Sequence, residues 1–133
     1  MKNSKAVNVV LFISGLIAAI IGGAILFKPV IFYASNGIDL DNNINLLNEI
    51  RASGGALLAA GLLILSGCFV SNLRYTAIVV STLLYLAYGV SRVLSFTVDG
   101  IPSEGLILAT GLEIFLGVVC AWFYVKYRGN FKN

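Results

Sequence analysis

Four apolar runs, each about twenty residues long, are separated by short polar stretches along this chain: Val7–Phe27, Ile50–Val70, Tyr75–Phe96 and Glu104–Val125. A helix rises about 1.5 Å per residue, so each run can cross a hydrocarbon core of roughly 30 Å. The pattern predicts an all-α integral membrane protein, a single domain over residues 1–133 folded as an up-down-up-down four-helix bundle. The first span ends at Lys28-Pro29, because proline disfavours helix in the residue before it. Residues 29–34 (PVIFYA) are apolar but too short to cross, which predicts a short helix at the outer interface. Asn36-Gly37 and Asp39 to Asn45 are turn residues, with Asn45 or a near neighbour capping the second span. Ser71-Asn72-Leu73-Arg74 is a tight hairpin, and in Asp99-Gly100-Ile101-Pro102 the proline suits the first turn of the last helix.

Small residues predict where helices approach one another. They are Gly15, Ala19 and Gly22-Gly23 in the first span, Ser53, Ala56, Ala60 and Gly67 in the second, and Gly105, Ala109, Gly117 and Ala121 in the fourth. A shift of fifty residues aligns Gly55, Gly61 and Gly67 with Gly105, Gly111 and Gly117, the mark of a two-hairpin repeat.

Composition agrees with lipid as the solvent, at 59% hydrophobic and 11% charged residues. The net charge of +3 does not point to nucleic acid, because the cations form no basic stripe. Lys2, Lys5, Arg74, Lys126, Arg128 and Lys132 fall at the two termini and the second connection, which four crossings place on one side. By the positive-inside rule that side is the cytoplasm. Asp39, Asp41, Glu49, Asp99 and Glu104 fall on the other side. Trp122, Tyr124 and Tyr127 read as the inner aromatic belt, and Phe27, Phe32, Tyr33 and Phe96 as the outer one. A cleaved signal peptide competes for the first span, but the run is too long and lacks a small-x-small cleavage site before a polar stretch. Two cysteines without a CxxC pair disfavour a thiol oxidoreductase. The absence of histidine removes His-based acid–base chemistry, haem ligation by histidine and the usual zinc sites. No cofactor is expected.

Charges inside spans are costly, about 2.5–3.5 kcal/mol each near the helix centre, and so are paired or functional. Glu113 lies nine residues into the fourth span, about 13 Å below Glu104 and near mid-membrane. Arg92 lies in the last turns of the third span. Arg51 lies in the first turn of the second, where the helix dipole disfavours a cation. Glu49, Glu104 and Glu113 are the available carboxylates, and Arg92 with Glu113 is the expected ion pair. Ser81, Tyr85, Tyr88 and Arg92 recur at spacings of four, three and four, which puts them on one helix face. Tyr85 is too deep for an interfacial belt, so its hydroxyl needs a partner within the bundle.

Glu49, Arg51, Tyr85, Tyr88, Arg92, Glu104 and Glu113 together form the candidate site, in the outer half of the bundle. One reading is an internal polar network that fixes which helix faces which. Another is a pocket for a small polar or amphipathic ligand such as a lipid headgroup. An enzyme is the weakest of these, because no nucleophile, metal set or phosphate loop accompanies the carboxylates. The leading expectation is a non-enzymatic accessory subunit or binding module, its partners being membrane lipids and a membrane protein or a second copy. A dimeric proton-coupled transporter with Glu113 titrating is the alternative.

Several of these residues carry a family resemblance. Asn48-Glu49-Ile50-Arg51-Ala52-Ser53-Gly54-Gly55, Arg92-Val93-Leu94-Ser95 with Asp99-Gly100-Ile101-Pro102, and Glu113 resemble the pattern of a bacterial membrane family, domain of unknown function 4345, over nearly the whole chain. The resemblance implies four membrane helices, a bacterial inner-membrane location and no established activity. Where the family often has glycine before the arginine of the third span, this chain has Ser91, with Gly89 nearby. The layout also resembles the DoxX-like group more loosely, as a matter of fold class alone.

Overall fold

The computed structural model describes residues 4–131, and every regular element among them is helical. Lys2 and Lys132, both part of the charge asymmetry, lie outside the described residues. Helices α1 (Ser4–Phe27), α3 (Ile44–Phe69), α4 (Arg74–Val98) and α5 (Glu104–Tyr127) are long, and α2 (Pro29–Ala34) is a short helix between the first two of them. All four long helices are long and apolar enough to cross a membrane. No more than 33% of any span's apolar window is buried inside the protein. The rest displays side chains such as Ile20, Leu83, Leu108 and Phe115 outward, as lipid requires of an integral membrane protein.

Several boundaries differ from the sequence reading for local reasons. Helix α3 begins at Ile44, ahead of its apolar run, because the Asn43 side chain accepts a hydrogen bond from the Leu46 amide at 3.1 Å. The cap is therefore Asn43, a near neighbour of Asn45 as the sequence allowed, and Arg51 stands two turns inside the helix. Pro102 lies just before the cap of α5, since Ser103 occupies that position. Gly100, with φ of +107°, makes the turn after Asp99 that a side chain would strain. Residues Ser71–Leu73 form a single 3-10 turn between α3 and α4.

Helix α1 packs most extensively on α3, and α4 on α5. Gly15 sits against the backbone of Leu65, Gly22 against Leu58, and Gly54 against Leu26. Partner numbers fall on α3 as they rise on α1, so the two helices run antiparallel. Gly61 meets Ala19 in the same way, which places the α3 side of this contact on Gly54 and Gly61. The sequence reading marked Ser53, Ala56, Ala60 and Gly67 on this helix; of these, Gly67 packs against Ala77 and Leu11, while Gly54 and Gly61 were not marked. The α4–α5 pair is also antiparallel, with Gly89 against Ile114 and Gly117 against Leu86. Of the glycines aligned by the fifty-residue shift, Gly67 and Gly117 both pack tightly on α4, whereas Gly61 is buried against α1 and a methyl on Gly111 would meet nothing.

The main core, at the end opposite α2, comprises Val7, Leu11, Ile64, Ala77, Ile78, Phe123 and Tyr127. Tyr127 therefore belongs to the core, stacked on Phe123 at 5.9 Å, and is no belt residue. Trp122 is exposed, with the Lys126 ammonium 4.4 Å from its ring centre.

Gly22→Ala should lower stability by about 1–3 kcal/mol, because the added methyl would overlap the Leu58 backbone. Gly23→Ala, one position along and in open space, should be neutral or raise stability by roughly 0.5–1 kcal/mol through helix propensity. Thermal unfolding of the two variants in detergent checks the contrast in sign.

Candidate functional site

Helices α1 and α5 share the core at one end, where Val7 and Leu11 join Phe123 and Tyr127. Toward the α2 end they stand on opposite walls of a partly open cavity of about 230 Å³. Ile17 and Ile21 of α1 face Leu106, Ala109 and Leu112 of α5 across it. Tyr85, Tyr88 and Arg92 of α4 line it with Glu113 of α5, and Leu57 of α3 adds to the apolar wall.

Arg92 and Glu113 form an ion pair in which the guanidinium Nε donates to Glu113 Oε2 at 2.8 Å. Their side chains are 31% and 15% exposed, so the pair stands at the rim of the cavity and is not sealed. The contact uses one nitrogen and one oxygen. Among the described residues, Arg92 Nη1 and Nη2 and Glu113 Oε1 make no further hydrogen bond. The guanidinium carbon also lies 5.9 Å from the ring centre of Tyr88, whose hydroxyl is likewise uncommitted.

Tyr85 plays a different part. Its ring forms cavity wall, while its hydroxyl donates to the backbone carbonyl of Ser14 on α1. Just beyond it lies a buried relay. The Ser14 hydroxyl donates to the Leu11 carbonyl at 3.3 Å, and Ser81 donates to Ser14 at 3.2 Å. Cys120 Sγ stands 3.2 Å from Ser81 Oγ, and with the Ser81 proton committed to Ser14 the thiol is the donor. These bonds tie α1, α4 and α5 together. Ser14 and Cys120 were not singled out in the sequence, because one serine and one cysteine in apolar runs carry no local signal.

Glu49, Arg51 and Glu104 are exposed and outside the cavity lining. Among the described residues Arg51 has no carboxylate partner: its Nη1 donates to the Leu26 carbonyl in the last turn of α1. The antiparallel pairing explains this choice, since it brings Arg51 to the negative end of the α1 dipole, where helix carbonyls lack amide partners.

Helix α2 adds residues that the sequence reading assigned to an aromatic belt. Phe32 and Tyr33 are half-buried and line the cavity, packed edge to face with ring centres 5.5 Å apart. Asn36 lines it too, and its carbonyl accepts from the Ser103 hydroxyl at 3.4 Å, joining the segment after α2 to the start of α5. The aromatic pair inside PVIFYA, directly after a proline turn, is the signal from which this cover could have been read.

Residues 6–124 match the family described as domain of unknown function (DUF4345). The chain belongs to the DUF4345 family. No curated protein and no solved structure matches it. The DUF4345 match spans α1 through nearly all of α5, so every residue lining the cavity lies within it.

Arg92→Leu and Glu113→Leu should each destabilise the protein by about 1–3 kcal/mol, with the double variant recovering about 1 kcal/mol of the summed loss. A double-mutant cycle in thermal or denaturant unfolding measures that coupling. Strict additivity would show that the pair contributes nothing as a pair.

Proposed function

We propose that this protein is a non-enzymatic membrane protein that holds a small amphipathic molecule between α1 and α5. The observation that carries the reading is a cavity with an apolar wall on one side and polar groups with spare bonding capacity on the other. Ligand sites have this character: mostly apolar surface with a few placed polar groups that fix orientation. The volume of about 230 Å³ suits a small head or the first part of a chain, below the roughly 300–1,000 Å³ of drug-sized sites.

In this reading the helices cross the membrane up-down-up-down with both termini in the cytoplasm. The charge asymmetry of the sequence supports that orientation. The host is a bacterial inner membrane, α2 lies at the outer interface, and the Arg92–Glu113 pair sits within the outer half of the bilayer. A membrane protein partner that delivers or receives the ligand fits the same arrangement.

Purification of the full chain in mild detergent, followed by native mass spectrometry, should show a small molecule retained by the protein. Ala109→Phe places a ring in the cavity and should remove that molecule while leaving the elution volume unchanged. A wild-type protein that retains nothing under these conditions would count against a binding role. For orientation, green fluorescent protein fused after the last residue should fluoresce, and alkaline phosphatase at the same point should be inactive. The reverse pattern would place the C-terminus outside.

A further inference from the structure

We infer, resting on the binding role above, that the cavity selects a single-chain lipid whose head is uncharged and carries both a hydrogen-bond donor and an acceptor, as a glyceryl ester does. The first observation is the charge balance of the lining. Among the described residues, Arg92 and Glu113 are the only formally charged ones that line it, and they are paired with each other. Their charges cancel within the wall itself. A carboxylate or phosphate head would bring a third charge out of water beside a site that is already neutral, and would leave one charge uncompensated.

The second observation is what the pair leaves unused. Arg92 Nη1 and Nη2 have N–H groups to donate, Glu113 Oε1 has lone pairs to accept, and both residues line the same cavity. A head with adjacent hydroxyl and carbonyl or ether oxygens answers both: an oxygen accepts from Arg92 while a hydroxyl donates to Glu113. The Tyr88 hydroxyl, on the same wall, can serve either need. A plain hydrocarbon answers neither and would strip water from polar groups without replacing the bonds.

The third observation is size and exit. A volume of about 230 Å³ holds roughly eight water-sized groups. That is room for a glyceryl head and the start of one chain beside it. The remaining chain leaves between α1 and α5, which face each other only across the cavity at this end, into the surrounding acyl chains.

The test uses the full chain in detergent, titrated with monooleoylglycerol, oleate at pH 8, and octadecene, with the thermal midpoint as the readout. Monooleoylglycerol should raise the midpoint saturably, and oleate should need about tenfold more ligand for the same shift. Octadecene should give no saturable shift. Glu113→Gln removes the negative partner and frees Arg92 to take an anion, so in that variant the order of monooleoylglycerol and oleate should reverse. A purely structural pair would lower the starting midpoint without changing the order.

Oleate matching or exceeding monooleoylglycerol on the wild-type protein overturns the inference while leaving an amphiphile-binding cavity in place. An unchanged order in folded Glu113→Gln overturns it as well. If Glu113→Gln does not fold, the wild-type ranking decides alone. No saturable shift with any of the three probes, together with Ala109→Phe behaving as wild type, removes the binding role itself.

Discussion

A helix surrounded by acyl chains gains nothing by hiding leucine from its solvent, because lipid tails are as apolar as leucine itself. Helices in that solvent are held by close approach and by polar bonds that hydrocarbon cannot replace. Both devices are visible here, and they are divided among different helices. The α1–α3 contact is the close-approach device: glycines at positions 15, 22, 54 and 61 bring backbone against backbone. Where α1 meets α4, polar bonds join the apolar core, through the Tyr85 hydroxyl on the Ser14 carbonyl and the Ser81–Ser14 bond.

This unequal division produces the cavity. With α1 drawn tightly to α3, and α5 drawn to α4 by Gly89 and Gly117, the two pairs meet mainly through the α3–α4 hairpin. At the end opposite α2, large side chains fill the space between α1 and α5, including Phe123 and Tyr127. At the α2 end the walls carry Ile17, Ala18 and Ile21 on α1 and Leu106, Ala109 and Leu112 on α5, and the space between them stays open. Helix α2 then folds across this end, with Phe32 and Tyr33 against the neighbouring core. The Ser103–Asn36 bond joins the segment that follows to the next helix.

Much of this was legible in the chain, and the illegible parts share a cause. Span existence followed from hydropathy and length, which depend only on local composition. The Arg92–Glu113 pair was legible because a charge in a span has few affordable partners, so one arginine and one glutamate at compatible depth nearly determine each other. Arg51 misled the same logic, since a backbone carbonyl at a neighbouring helix end satisfies a guanidinium as well as a carboxylate does and leaves no trace in composition. Small-residue counting located close contacts at Gly15 and Gly22 on α1 and at Gly67 on α3, but passed over Gly54 and Gly61. Alanine, serine and glycine are interchangeable by size class, yet only glycine admits a backbone at the separations found at Gly54 and Gly61. Tyr33 and Asn36 were missed because the return of α2 over the bundle is a tertiary event.

The molecule also contains an internal comparison that bears on the role of the ion pair. The Ser14–Ser81–Cys120 relay shows what this fold does when a polar group serves only to hold helices together: all three side chains are buried, and the hydroxyl protons are committed. The Arg92–Glu113 pair departs from that pattern in both respects. It is partly exposed, and it uses one nitrogen of three and one oxygen of two. A guanidinium and a carboxylate can form a two-bond fork that leaves less unsatisfied, and a clasp alone would gain from it. Here the single bond joins the two groups and leaves the other guanidinium nitrogens and the second carboxylate oxygen unbonded, on residues that line the cavity. The contact thus acts as a hinge pin for α4 on α5 and as a prepared hydrogen-bonding surface at once, a combination suited to an occupant that brings no charge of its own.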